Sequence, residues 1–164
     1  MQGGVGGGGP RQGREDTRTR QRGLEGQKRN RSLVLVCLDT NLLVALLRGD
    51  DSAAKVVGGF EDSGKPLRTT AITEYELFKG AHLSSRREEN LQRLRRLFDG
   101  TEVLRLTSEA CGEAGRIYSR LESRGKMINE FDVLIGGIVI ASEETLVTRD
   151  EHFTAIEGLR LQSW

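Results

Sequence analysis

Residues 33–39 of this 164-residue chain read LVLVCLD, and the prediction of the fold starts from them. A short, unbroken apolar run rich in branched side chains is typical of a strand that is buried on both faces. The run ends at Asp39. In parallel α/β sheets, ligands collect outside the carboxyl ends of the strands, so we expect Asp39 to lie where a functional site forms.

Helical and strand-like patterns alternate after this first strand. Helical spacing of apolar residues predicts helices over residues 42–47, 53–60, 72–83, 86–98, 110–121 and 131–141, of which the last is apolar all round and therefore buried. Short strands are predicted at residues 67–71, 103–106, 146–148 and 159–161. This alternation predicts the α/β class, with helices packed on a parallel sheet.

The first 32 residues differ in composition from the rest. They contain nine of the 21 glycines, three apolar residues and a net charge of +5, whereas the remaining residues carry −4. We therefore expect a disordered Gly/Arg-rich extension at residues 1–32 and one folded domain at residues 33–164. A start codon assigned too far upstream would explain the extension, and a basic arm for nucleic acid is the alternative.

Apolar runs and cysteines restrict the location of the protein. No run approaches the roughly 18 residues of a membrane helix, and the N-terminus lacks the apolar stretch of a signal peptide. A cytoplasmic protein without a membrane segment is expected. Cys37 and Cys111 offer neither a disulfide framework nor metal-site spacing, so we interpret both as inert packing residues.

Acidic residues occur at three positions where a site would form. Asp39 ends the first strand, and Asp150 follows the strand at 146–148 by two residues. Asp132 lies three residues after Asn129, a plausible N-cap, and therefore falls in the first turn of the apolar helix. A lone carboxylate on such a helix is costly without a partner.

The helix from residue 72 offers a fourth acid, and two residues compete for the place. Glu74 and Glu76 are about 200° apart around the helix axis, so only one of them can face the sheet. Glu76 lies one turn from Ile72 and Gly80, which suit an inward face, whereas Glu74 could equally cap the helix start.

Four acids from four separated segments would repel each other unless a cation neutralised them. Ligation by oxygen, with no Cys or His cluster, favours Mg²⁺ or Mn²⁺ over zinc. Sites of this kind most often hydrolyse phosphodiesters. The joint pattern predicts a metal site, although any one of the acids alone would be interpreted as a cap or a surface ion pair.

The ordered motifs resemble those of the PIN-domain ribonucleases, and more narrowly of the VapC-type toxins of toxin–antitoxin pairs. The resemblance covers about residues 34–164 and is carried by DTN at 39–41, IT at 72–73 with EL at 76–77 and GA at 80–81, FDVLI at 131–135, and LVTRD at 146–150 with Phe153. It implies a three-layer sandwich in which helices flank a central, mostly parallel sheet.

The resemblance also implies a Mg²⁺- or Mn²⁺-dependent endoribonuclease that hydrolyses RNA, forms a homodimer and is inhibited by a small antitoxin protein. Matched motif by motif, the acidic catalytic residues are Asp39, Glu76, Asp132 and Asp150. Asp39, Asp132 and Asp150 would hold the metal, and Glu76 would activate the attacking water or bind a second ion. Asn41 and Thr148 match supporting polar positions.

This chain departs from the family pattern at two places. Gly136 and Gly137 stand where alanines are expected after the FDVLI motif, and Glu130 adds a carboxylate beside it. Neither change removes a predicted ligand, but the packing of this helix is expected to differ.

Two alternative functions stay open at this point. One is a catalytically silent PIN-like module that binds RNA or protein, and the other is a housekeeping PIN nuclease in RNA processing. His82 and His152 lack a nucleophile motif, so surface or packing roles are assigned to them. The arginines of residues 86–96 are interpreted as a solvated helix face, and Trp164 as a packing residue.

Overall fold

The structure is a computed structural model and describes residues 35–164 together with Gly3, Gly4 and Gly6. Apart from those three glycines, residues 1–34 lie outside the described residues. The extension predicted at residues 1–32, and the first two residues of the predicted strand at 33–38, therefore stay predictions.

Five strands form one sheet in which every pairing is parallel. They are β1 (Val36–Leu38), β2 (Leu67–Thr70), β3 (Thr101–Leu104), β4 (Thr145–Val147) and β5 (Arg160–Gln162), in the spatial order β3-β2-β1-β4-β5. The helices are α1 (Thr40–Leu47), α2 (Asp51–Asp62), α3 (Ala71–Leu83), α4 (Arg87–Asp99), α5 (Ser108–Ser123) and α6 (Glu130–Ala141), and a 3₁₀ turn spans Glu151–Ala155. Within the described part, no helix is both long and apolar enough to span a membrane.

Side chains of β1 alternate between the two faces of the sheet. Val36 and Leu38 pack with residues of α1 to α4, whereas Cys37 packs with residues of α5 and α6. All three are fully buried, as expected for a strand covered on both sides. The predicted α/β sandwich of three layers is confirmed, and its sheet is parallel throughout the described residues.

Several predicted boundaries shift for identifiable reasons. The strand predicted at 103–106 is β3, which begins at Thr101 because Thr101 pairs with Leu67, and Leu106 is left exposed. β2 ends at Thr70, whose hydroxyl caps α3 by accepting the Thr73 N–H at 3.0 Å. The helix predicted at 53–60 extends in both directions to Asp51–Asp62.

Two side chains of α5 are exposed. Cys111 is a free, exposed thiol on α5, so its interpretation as a packing residue is wrong, whereas Cys37 is buried as predicted. Tyr118, which helical spacing places near the apolar stripe of α5, is 41% exposed. It lies one position beyond Ile117, at the margin of the stripe that faces α6.

The two glycines of α6 allow close contact with α5. A Cβ atom built at Gly137 would lie 2.7 Å from the Ala110 carbonyl oxygen and 2.8 Å from the Ala114 Cβ and backbone nitrogen. At Gly136 the nearest atom would be the Ile156 Cδ1, at 2.7 Å. Gly137 therefore allows α6, with Asp132 in its first turn, to lie closer to α5 than an alanine permits, whereas Gly136 faces the end of the Ile156 side chain.

We expect Gly137→Ala to lower the free energy of unfolding by about 1–3 kcal/mol, because the added methyl group meets backbone atoms of α5 that cannot move aside. Gly115→Ala is the matched control, since a Cβ there has no neighbour within 4 Å. It should leave stability unchanged or raise it by about 0.5–1 kcal/mol. Urea denaturation of both variants measures the difference, and a Gly137→Ala protein as stable as the control would contradict this account of the contact.

Candidate active site

The candidate site lies where the strand connections diverge. From β1 the sheet continues through β2 and β3 on one side, and through β4 and β5 on the other. Such a switch point opens a crevice at the carboxyl ends of its two strands. Asp39 directly follows β1, and its N–H donates to the Val147 carbonyl of β4 at 3.2 Å. Asp150 follows β4 by three residues, so both acids lie at the predicted edge.

Asp39 is 2% exposed and both of its carboxylate oxygens accept hydrogen bonds. Oδ1 accepts the Thr40 N–H at 2.7 Å, which caps α1. Oδ2 accepts the hydroxyl of Thr148, one of the two supporting polar residues, at 2.7 Å. The Thr148 Oγ1 accepts the Asp150 N–H at 2.9 Å in turn. One threonine side chain therefore connects the acids that follow β1 and β4.

Glu76 reaches the site from α3, and the first residue of α1 holds it. The Thr40 hydroxyl lies 2.6 Å from Glu76 Oε2 and donates to it. It also lies 3.3 Å from the Thr73 hydroxyl. Glu74 forms no side-chain hydrogen bond or ion pair among the described residues, and the N-cap of α3 is Thr70 rather than Glu74.

Asp132 lies in the first turn of α6, as predicted. Asn129 is the N-cap of this helix, and its side-chain oxygen accepts the Phe131 N–H at 2.9 Å. The Asp132 side chain is partly buried. Since the N-terminal end of a helix carries partial positive charge, the cap and the helix both favour an acid at this position.

Three side chains form the tightest cluster of possible metal ligands in the described part. One ligand atom each from Asp132, Asp150 and His152 lies within 4.8 Å of the others. The His152 Nδ1 is 3.2 Å from Asp150 Oδ1, which also accepts the His152 N–H at 2.9 Å. Carboxylate and imidazole groups at this spacing are able to share one divalent cation.

Burial and crowding shift the pKa values of two of the acids upward. Burial is the main cause of the raised pKa of Asp39, and the charges of Asp150 and Glu76 add to it, whereas the hydrogen bonds from Thr148 and Thr40 lower it. Burial, followed by the charges of Asp150, Asp39 and Glu76, raises the pKa of Asp132 to about 6. The four acids therefore lie close enough for their charges to oppose one another.

Two neighbours of these acids were not selected from the sequence. His152 is on the surface, as assigned, but its imidazole belongs to the acidic cluster. Its position two residues after Asp150 was the available signal. Thr40, inside the DTN motif, holds both Asp39 and Glu76. Asn41, which was selected, is exposed and has no side-chain hydrogen bond to another described residue.

The protein is an α/β sandwich with an acidic crevice at the switch point of a parallel sheet. A model of the PIN domain family matches residues 36–159. The chain belongs to the PIN domain family, because this match covers most of its length.

Relatives and solved structures narrow the comparison. The tRNA(fMet)-specific endonuclease VapC of Shigella flexneri is 27% identical over 128 residues, which cover 77% of this chain and 96% of that protein. VapBC2 from Rickettsia felis, solved bound to a DNA fragment from its promoter, is 26% identical with a TM-score of 0.74 over 79% of this chain and 98% of that chain. DNA-bound VapBC from Salmonella typhimurium is 25% identical, with a TM-score of 0.73 over 80% and 99% of the two chains. The resemblance to VapC-type PIN ribonucleases is confirmed.

The raised pKa of Asp132 predicts how an Asp132→Asn variant depends on pH. Because the folded protein binds this proton more tightly than an unfolded carboxyl with a pKa of 3.8, ionisation costs stability as pH rises from 3.8 through about 6. Above that range and without metal, we expect the free energy of unfolding of the variant to exceed that of the wild type by about 1 kcal/mol. The difference is this small because solvent screens the half-exposed side chain. Urea melts across pH measure the difference, which should vanish near pH 3.8. A less stable variant at neutral pH would instead indicate a structural cap.

Proposed function

We propose that this protein is a divalent-metal-dependent endoribonuclease and the toxin of a toxin–antitoxin pair. The single observation that supports this most is the meeting of four carboxylates, from β1, α3, α6 and the turn after β4, at one switch point. A fold gains no stability from such crowding, because the charges of neighbouring acids add to the raised pKa values of Asp39 and Asp132. A bound cation would offset that cost.

The donor set fits Mg²⁺ or Mn²⁺. We assign Asp39, Asp132 and Asp150 as the residues that hold the ion, on the basis of their oxygen ligands and their shared crevice. A divalent cation bound there would lower the pKa of a water molecule and would stabilise the leaving oxygen of a phosphodiester. The imidazole of His152 makes the site more suitable for Mn²⁺ than an all-oxygen site would be.

The remaining residues act on the water and on the acids. Glu76 accepts the Thr40 hydroxyl through Oε2, and its other carboxylate oxygen accepts no hydrogen bond from a described residue. That second oxygen is therefore available to take a proton from the attacking water. Thr148 fixes Asp39, and His152 fixes Asp150, through the hydrogen bonds described above. Asn41, exposed at the start of α1, would contact the substrate backbone.

A groove beside Glu76 suits an inhibitory antitoxin. The cavity, of about 550 Å³, opens between α1, α3 and α4. Val44, Leu77 and Leu94 contribute apolar surface, and Arg86 and Arg93 contribute positive charge. We expect an antitoxin segment with apolar and acidic side chains to bind here and to block access to Glu76. The homodimer, and a cytoplasmic location, stay predictions.

The two alternatives to a toxin differ in what they require of the site. A silent binding module has no use for four acids in one crevice, and their crowding would only reduce its stability. A housekeeping nuclease would use the same chemistry but would need no antitoxin. A short open reading frame just upstream that encodes a small DNA-binding protein would distinguish the toxin from the housekeeping enzyme.

The proposed activity predicts that purified protein cleaves single-stranded or loop RNA in Mg²⁺ or Mn²⁺, and that a chelator stops cleavage. Asp39→Asn should lower the rate by at least about a hundredfold, because it removes a ligand charge while keeping the side-chain shape. Gel analysis of a panel of structured RNAs measures this. Uncut RNA across the panel, or cleavage that persists in chelator, would overturn the mechanism.

Glu74 and Glu76 supply a matched pair of variants. Glu76→Gln should lower the cleavage rate by at least about a hundredfold, within the range for loss of a general base, whereas Glu74→Gln should retain most of it. Both changes remove one charge from α3, so a general electrostatic effect on RNA binding would affect them alike. Equal loss of activity in the two variants would mean that Glu76 has no specific role.

A further inference from the structure

A patch of two aromatic side chains and one lysine borders the acidic site. Tyr75 and Lys79 lie one turn apart on α3, and Phe131 lies on α6. Tyr75 directly precedes Glu76 and Phe131 directly precedes Asp132. Each of these two helices therefore contributes an acid and an adjacent aromatic ring.

The three side chains of this patch contact one another. The Tyr75 and Phe131 rings meet edge to face, with centroids 5.7 Å apart and planes at 76°. The Lys79 ammonium lies 5.4 Å from the Tyr75 centroid and 5.2 Å from the Phe131 centroid. Edge-to-face and cation–π contacts favour this arrangement of the rings and the ammonium. The patch is therefore a formed surface that joins α3 to α6.

Two properties suit this patch to a nucleic acid strand. Tyr75 is 52% exposed, although it is a large aromatic side chain. Among the described residues, Lys79 forms no ion pair with a carboxylate, and its ammonium lies near the two rings instead. A nucleotide has a flat base that stacks on aromatic rings and a phosphate that attracts ammonium groups.

We propose that Tyr75, Phe131 and Lys79 form a platform for the RNA strand next to the carboxylates. An unpaired base stacks on Tyr75, Phe131 supports that ring from its edge, and Lys79 contacts a neighbouring phosphate. This inference rests on the proposed ribonuclease function and specifies the form of its substrate. Because every base has a flat face that is covered in a duplex, the platform selects unpaired RNA rather than a particular sequence.

Fluorescence of a base analogue tests the platform. The probe is a short oligouridylate that carries one 2-aminopurine, either single-stranded or annealed to its complement. Binding is measured in the Asp39→Asn background, which should leave the strand intact. Tyr75→Ala should weaken binding of the single strand about tenfold and abolish quenching of the 2-aminopurine, whereas Tyr75→Phe should stay within about twofold because stacking does not need the hydroxyl. The annealed probe should be bound equally by both Tyr75 variants and their parent.

Further variants separate the contributions of ring and charge. Lys79→Gln should weaken binding and reduce the slope of log affinity against log salt by about one counterion. Tyr118→Ala is the matched control, because Tyr118 is another exposed tyrosine, on α5, which carries none of the four acids. It should bind the single strand like its parent.

The outcomes that overturn the platform differ from those that overturn the nuclease. Equal affinities of Tyr75→Ala and Tyr118→Ala for the single strand would overturn the platform, whatever the cleavage assay shows. The platform would also be overturned if Tyr75→Ala changed the molecular mass of the protein, measured by light scattering, without changing its affinity for RNA. Tyr75 would then contact a second copy of the chain. Absence of cleavage by the wild-type protein would overturn the proposed function, yet the binding comparison would still report on the platform.

Discussion

Parallel pairing of β1 with β4 at the centre of the sheet determines where the chemistry of this protein lies. The pairing brings Leu38 opposite Val147, so the chain leaves both strands at the same level. Asp39 and Thr148 follow directly and form a hydrogen bond across the gap. Because side chains alternate along a strand, a shift of one residue in register would turn Thr148 away from Asp39. The site therefore depends on this register as much as on the identity of its acids.

The acids at the two ends of β4 differ in whether a lysine or arginine side chain pairs with them. Glu144, just before the strand, is almost fully buried, but Arg68 pairs with it at 2.7 Å. In the described part, none of the four acids in the crevice pairs with a lysine or arginine, and Asp39 is held by neutral hydroxyl and amide donors instead. Burial raises the pKa of Glu144 as it does that of Asp39. Of these two sites in the described part, the crevice leaves its carboxylates without a lysine or arginine partner, which suits the proposed metal site.

Helices α3 and α6 each contribute an aromatic ring to the proposed function in addition to an acid. Each places a carboxylate and an aromatic ring at successive residues, and one turn of α3 adds Lys79. Successive residues of a helix point about 100° apart, so one helix end presents the acid to the crevice and the ring to its rim. Gly137 supports the same arrangement, because it allows close contact between α5 and the helix that bears Asp132.

The fold class and most helices and strands could be predicted from the sequence, because apolar periodicity is a local signal. Strand ends indicated Asp39 and Asp150, whereas the choice of Glu76 over Glu74 rested on the family resemblance, and the catalytic roles of the acids stay predictions. The short run at residues 33–38 and the position of Asp39 directly after it were sufficient for the first strand and its acid. Three facts could be found only in the folded structure: Thr40 binds Glu76, His152 belongs to the acidic cluster, and Cys111 is exposed. These facts depend on distances between segments far apart in the chain or on which side of a helix is covered. Such distances follow from the order and register of the strands, which no local pattern specifies.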